Sequence, residues 1–302
     1  MSGPVLMWFR RDLRVADNAA LSWAVRHGPS VLPIYIRDSA DFMGGASDWW
    51  LHHSLDALAA RLKDIGLPLI LREGPAEAAL TQLIAETGAS ALCWNRLYDP
   101  ATRPRDEAIK TGFREKGLTV ESFAGNVIRE PWEMKTGAGT PYSVFTPYWK
   151  AILAAGDPPQ PSPAPKTAKP PSTLPESDRL PTWRLLPTKP DWAAGFRAVW
   201  EPGETGAVER LTAFLEDGLR QYGKRRDFPA DTGVSRLSPH LHFGEISAHQ
   251  VWHATLGAVR SGASPASESD AMAFLRELGW RDFSHHLLFF RPAMETENFN
   301  TR

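Results

Sequence analysis

Residues 5–21 read VLMWFRRDLRVADNAAL, and the reading of this stretch decides the fold. Val5 to Phe9 form an uninterrupted apolar run of strand length, which suits a strand buried on both faces. Four charged residues follow at once, Arg10, Arg11, Asp12 and Arg14, and an apolar pattern at three and four spacing comes next. The same order recurs outward along the chain. Strand-like runs at VLPIYI (31–36), LPLIL (67–71), ALCWN (91–95) and LTVESF (118–123) alternate with helical patterns near 17–27, 49–65, 76–87 and 100–116. Such alternation predicts βαβ units and a parallel sheet with right-handed crossovers. Asp17 and Asp48 stand where helix N-caps are expected.

The charges after the first run fall at the carboxyl end of a parallel strand, where open α/β sheets bind ligands. No GxGxxG occurs, and no GxxxxGK followed by Ser or Thr, so neither a dinucleotide fingerprint nor a P-loop is supported. An internal salt-bridge network is the competing reading of the cluster.

At 302 residues the chain is expected to form two domains. With 42% hydrophobic and 23% charged residues it has the composition of a folded protein. The net charge of -1 excludes bulk attraction to nucleic acid, so any such partner needs a local basic patch. Cys93 is the single cysteine, which excludes an intrachain disulfide and points to a reducing cytoplasm. Its apolar context, SALCW, reads as a small buried hydrophobe rather than a nucleophile. No apolar run reaches the roughly 18 residues of a membrane helix, and charges at 10–12 interrupt any secretory signal.

Between 158 and 190 lie 11 of the 26 prolines, starting with PPQPSPAP. Missing N–H donors at that density predict an extended linker without regular structure. From 204 onward the patterns are helical, in ETGAVERLTAFLEDGL, EISAHQVWHATLGAV and SDAMAFLRELGWRDFSHHLLFF.

The stretch GVSRLSPHLHFGEIS (233–247) mixes hydroxyls and histidines with Leu237, Leu241 and Phe243. That mixture suits a ligand part ionic and part aromatic, with Ser235 and Ser238 placed to cap a helix and offer N–H groups to a pyrophosphate. His240 and His242 lack a nearby carboxylate or cysteine to complete a coordination set, so no metal is expected. Just upstream, Arg220, Lys224, Arg225 and Arg226 make a basic patch, either an ordinary solvated face or a surface that contacts phosphates. In FLRELGWRDFSHHLL (274–288), Phe274, Glu277, Leu278 and Arg281 share one helix face. An internal Glu277–Arg281 ion pair is the structural alternative to a site there. Trp280 adds a stacking surface for a planar base.

Five motifs, WFRRDLRVADNAAL, WWLHHSLDAL (49–58), TPYSVFTPYWK (140–150), SRLSPHLHFGEIS and ELGWRDFSHHLL, together resemble the DNA photolyase and cryptochrome family in order and spacing. Within it the likeness is to class I cyclobutane pyrimidine dimer photolyases. The resemblance implies a Rossmann-like α/β antenna domain over 1–130, an interdomain linker over 131–200, and the first part of an all-α FAD-binding domain over 201–302. It also implies a light-driven lyase: an antenna chromophore, folate or deazaflavin, passes energy to reduced FAD, which donates an electron that splits the dimer in UV-damaged DNA.

Carried onto this sequence, the resemblance makes Tyr222, Ser235, Arg236, Leu237, Ser238 and Arg281 flavin contacts. Glu277 and Trp280 become the catalytic pair that holds the dimer, and Lys224, Arg225 and Arg226 join them on the DNA. Val234 stands where relatives often carry threonine, and Phe274 where some carry tryptophan. Relatives continue past ENFNTR with helices that supply further flavin contacts. The expectations are therefore a truncated domain, an apolar face left exposed on 204–290, weak FAD binding and little repair; a full-length form is expected to be a cytoplasmic monomer. Two alternatives stay open: a cryptochrome-type photoreceptor without repair activity, and an α/β ligand-binding fragment that has lost flavin function.

Overall fold

The structure is a computed structural model, and it describes residues 3–38, 44–228 and 230–300. Strands β1 (Val5–Phe9), β2 (Val31–Arg37), β3 (Ile70–Glu73), β4 (Ala91–Asn95) and β5 (Thr119–Phe123) form one sheet in the order β3-β2-β1-β4-β5. All four pairings are parallel. Helices α1 (Ala19–His27), α2 (Gly45–Asp64), α3 (Ala76–Thr87) and α4 (Thr102–Glu115) make the crossovers. Alternate residues of β1 and β4 enter different cores. Val5, Met7, Phe9, Ala91 and Cys93 pack with α1 and α2, while Leu6, Trp8, Leu92 and Trp94 pack with α3 and α4. A sheet buried on both faces explains why its strands read as apolar runs.

The third strand begins three residues later than LPLIL implies. Pro68 has no N–H for a ladder, and the Leu67 N–H donates to the Leu62 carbonyl, closing α2. Pairing starts at Ile70 opposite Ile34, so β2 is still an edge strand at Pro33.

Neither expected aspartate caps its helix. Asn18 caps α1, its side chain accepting from the Leu21 N–H at 3.0 Å. Asp17 instead accepts from the Ser162 N–H and the Ser247 hydroxyl, tying two later segments to this turn. Helix α2 starts at Gly45 after Gly44 at φ +95°, which leaves Asp48 inside its first turn.

Residues 158–190 contain no α-helix or strand, but the expectation of no regular structure fails at Leu180–Trp183, a single 3-10 turn with Pro181 near its start, where a missing N–H costs nothing. Main-chain bonds join Ala168 to Ile65, Val31 to Lys169 and Asp178 to Leu71. A third core gathers α5 (Phe145–Ala154), α6 (Glu204–Ala213) with a π turn behind it, α7 (Tyr222–Arg225), α8 (Ser238–Phe243), α9 (Ala248–Arg260) and α10 (Glu268–Phe290). Among the described residues no helix is long and apolar enough to cross a membrane.

Polar contacts dock these helices on the exit of β1. The Glu204 carboxylate accepts from the Val15 and Ala16 N–H groups at 3.0 and 2.9 Å. Buried Arg14 donates to the carbonyls of Gly244, Asp17 and Gly125. Gly244 adopts φ +68°, and a Cβ there would overlap the Arg11 carbonyl, so this close approach needs glycine.

Candidate functional site

With the order 3-2-1-4-5, the crossovers change direction between β1 and β4, and the crevice outside their carboxyl ends is the topological switch point. A cavity of about 470 Å³ opens there. The chain just after β1 contributes Arg11, and the chain just after β4 contributes Leu97, Tyr98 and Asp99. Opposite them, α10 presents Phe274, Glu277, Leu278, Arg281 and His285, residues that share a helix face. Tyr222 and the 235–242 segment, through Ser235, Leu237, Ser238, Leu241 and His242, close the remaining wall. The lining joins apolar side chains to a few convergent polar groups, the usual make-up of a cofactor site.

The charge cluster after β1 divides by role. Arg10 pairs with Asp106 and lies over the Trp8 ring, Asp12 accepts from the Asn95 amide at 2.7 Å, and Arg14 is the clamp described above. These three are structural. Arg11 alone of the four lines the cavity, with Asp99 at 3.8 Å.

Arg281 is the half-buried cation of the site. Its guanidinium donates to the carbonyls of Asn126 and Leu241, and among the described residues it has no carboxylate partner. Burial pulls its pKa down against the opposing field of Asp282. The alternative of an internal Glu277–Arg281 pair is not formed among the described residues: Glu277 instead pairs with Arg226 across the cavity mouth. The hydrogen bond to Glu277 raises the Arg226 pKa. Burial, assisted by Arg11 and Arg281, lowers His242 to about 4, and burial with Arg281 lowers His285 to about 3. Both imidazoles are neutral at neutral pH and serve as uncharged hydrogen-bonding groups.

Asp282 faces away from the cavity and accepts from the N–H groups of Ile128 and Arg129 at 2.8 and 3.1 Å. Burial raises its pKa to about 7, partly countered by Arg281. The pair Arg281–Asp282 thereby pins the 126–129 turn, and Asn126 with it, against α10.

Of the sequence-designated flavin residues, Tyr222, Ser235, Leu237, Ser238 and Arg281 line one cavity, as does Glu277. Arg236 does not: at φ +52° it turns outward into a separate groove with Arg210. Neither serine acts as a cap. Leu237 is the N-cap of α8 without a side-chain bond, Ser238 is its first residue, and Ser247 caps α9. Trp280 lies outside the cavity, 43% exposed, with its ring stacked on Phe145 at 3.6 Å and 10°.

The basic patch is half neutralised, since Asp231 holds Arg225 through two bonds and Glu277 holds Arg226, while Arg220 and Lys224 are exposed. His240 is buried against Glu245, whose carboxylate also accepts from Trp50 and Gly203. Sequence reasoning missed Tyr98, Asp99, Asn126 and His285. The positional rule that singled out the end of β1 also holds at the end of β4, and would have found the first two.

The family model for DNA photolyase matches residues 5–166. A deoxyribodipyrimidine photo-lyase of Agrobacterium fabrum is 48% identical over 300 residues, covering 99% of this chain and 62% of the relative. Cryptochrome-1 of Arabidopsis thaliana is 33% identical, covering 96% of this chain and 44% of the relative. Among solved structures, a crystal structure described as a bacterial class III photolyase from Agrobacterium tumefaciens superposes with a TM-score of 0.95 at 47% identity, covering 99% of this chain and 62% of that one.

Proposed function

The chain belongs to the DNA photolyase family, and from that premise we propose that it holds FAD in the switch-point cavity as part of a light-driven enzyme that splits pyrimidine dimers in UV-damaged DNA. The observation that carries this reading is the convergence in one cavity of Tyr222, Ser235, Ser238, Glu277 and Arg281, drawn from three separate stretches of sequence. The lining fits the group chemically. Ser235 and Ser238 would offer hydroxyls to its polar groups, Leu237, Leu241 and Phe274 apolar surface to its ring, and half-buried Arg281, which bonds only to carbonyls, a cation for its anionic groups. When bound, reduced FAD supplies the light-driven electron. The chain's own residues bind and orient it, exclude water, and hold the lesion through Glu277 and Trp280. Trp280 suits that task because Phe145 backs its ring while nearly half its surface stays open.

The similarity to a described class III photolyase makes class III, rather than class I, the subclass we favour. The chain spans about 62% of the length of that photo-lyase relative, and we propose that alone it holds flavin weakly. A second cleft, about 260 Å³, shares Leu97 and Tyr98 with the first. Its aromatic walls Trp132 and Phe289, with Arg103 and Lys110 beside Asp106 and Glu107 and with Arg96 already held by Glu130, offer a stacking surface for a planar antenna pigment such as a folate. The single buried thiol agrees with a cytoplasmic setting.

Repair is favoured over a purely signalling role because Glu277 faces the cavity and Trp280 remains open. Fluorescence anisotropy of a labelled oligothymidylate, before and after UV irradiation and with FAD present, tests this. The irradiated strand is expected to bind about tenfold more tightly, or roughly 1.4 kcal/mol, and Trp280→Ala to remove most of that margin. Equal affinity for both strands would favour a photoreceptor.

A further inference from the structure

Arg226 and Glu277 are each assigned to DNA, yet in the structure each is the other's ionic partner. Arg226 follows α7 and Glu277 lies on α10, so the pair spans the rim of the cavity between two elements. Both side chains are about one third exposed, at 35% and 37%, and a ligand from outside can reach both. Among the cations of this patch, Arg225 is fixed by two bonds to Asp231. Arg226 alone of them is held by a residue of the cavity wall. Its other neighbours are Asp227 at 3.5 Å and the Tyr222 ring at 5.9 Å.

We infer that the Arg226–Glu277 pair is a lesion-sensing latch, in which Glu277 keeps Arg226 from backbone phosphates until a base in the cavity satisfies the carboxylate. This rests on the reading of the cavity as the place where a flipped pyrimidine meets the flavin. A strand phosphate competes well for a guanidinium, because the two match in a bidentate fork. Taking Arg226 away leaves Glu277 without its partner at the cavity mouth, which has a cost. An intact strand, its bases stacked, offers phosphate alone and bears that cost. A flipped pyrimidine offers imide N–H donors to Glu277, so phosphate on Arg226 and base on Glu277 favour each other. Such coupling is reciprocal by thermodynamic necessity. Glu277 therefore determines selectivity as well as contact.

The test is a double-mutant cycle on undamaged oligothymidylate binding, read by anisotropy at two salt concentrations. Glu277→Gln is expected to tighten binding about twofold to fivefold, the range of a partly exposed pair. It should also steepen the salt dependence by about one phosphate contact. In an Arg226→Gln background the same substitution should do neither. Tightening that is equal with and without Arg226 would reduce the effect to a generic loss of negative charge and overturn the latch, as would no tightening at all. If no variant, nor the unaltered chain, binds the strand, the DNA reading falls and the latch with it. Urea midpoints of all four proteins guard against misfolding, and a favourable coupling there is expected from the pair itself.

Discussion

Asp282 is the buried carboxyl whose titration is easiest to isolate. Its pKa in the fold is about 7 against an ordinary 3.8. A raised carboxyl pKa favours the folded state fully below about pH 4, and this contribution is lost as pH rises through 7. His242 and His285 run the other way. Their lowered values favour the fold above pH 6.5, with the contribution lost as pH falls through about 4 for His242 and about 3 for half-buried His285, and that of His242 reduced by its exposure to solvent. A whole-protein pH profile mixes these slopes, so the informative quantity is the difference from Asp282→Asn. Asparagine can still accept from Ile128 and Arg129, and urea midpoints are expected to converge near pH 4–5 and to favour the variant by a few kcal/mol at pH 8. Parallel profiles would show that Asp282 does not titrate as its surroundings dictate. At this scale the sequence was legible where residue type and helix spacing act together, as for Glu277 and Arg281. It was silent on partners. Spacing offered Glu277 an in-helix arginine, but burial turns Arg281 toward two carbonyls, and Arg226, 51 positions away, takes the carboxylate.

Among elements, α8 and the turn after it carry the docking of helices on sheet. The Leu13 N–H donates to the Phe243 carbonyl, and Gly244 passes directly over Arg11. Gly244→Ala combines strain at φ +68° with overlap against main chain, which cannot yield as a flexible side chain would. A loss of at least 1–3 kcal/mol in unfolding free energy is expected, about the cost of a strained backbone position. An unchanged urea midpoint would mean the docking is looser than the geometry requires. Strand identity was legible because burial on both faces leaves an apolar signature. Element ends were less so, for physical reasons visible at particular residues. Asp17 and Asn18 are both good caps, and only the position of Ser162 and Ser247 gives Asp17 other work. Likewise Pro68 belongs by composition to an apolar run but cannot join a ladder.

For the molecule as a whole, the site exists because two layers meet at a switch point, with the strand ends of one facing the long helix of the other. Two motifs, SRLSPHLHFGEIS and ELGWRDFSHHLL, located most of the helical half of that meeting, while Tyr98, Asp99 and Asn126 came from stretches with no composition of their own to mark them. Large apolar side chains exposed between 204 and 290 include Phe228 at 63% and Val208 at 46%, besides Trp280. The central claim is the proposal that the cavity holds flavin with Arg281 as its half-buried cation. Arg281→Leu leaves the Asn126 and Leu241 carbonyls without a donor, at a cost of about 1–3 kcal/mol in stability, and removes the charge a flavin's anionic groups would meet. The most direct test is an FAD titration of the purified 302-residue chain, followed by flavin absorption and fluorescence, beside Arg281→Leu kept folded at low temperature. The account predicts weak, saturable, one-to-one binding by the unaltered chain and at least tenfold weaker binding by the variant; equal binding by both, or none by either at millimolar FAD, would contradict it.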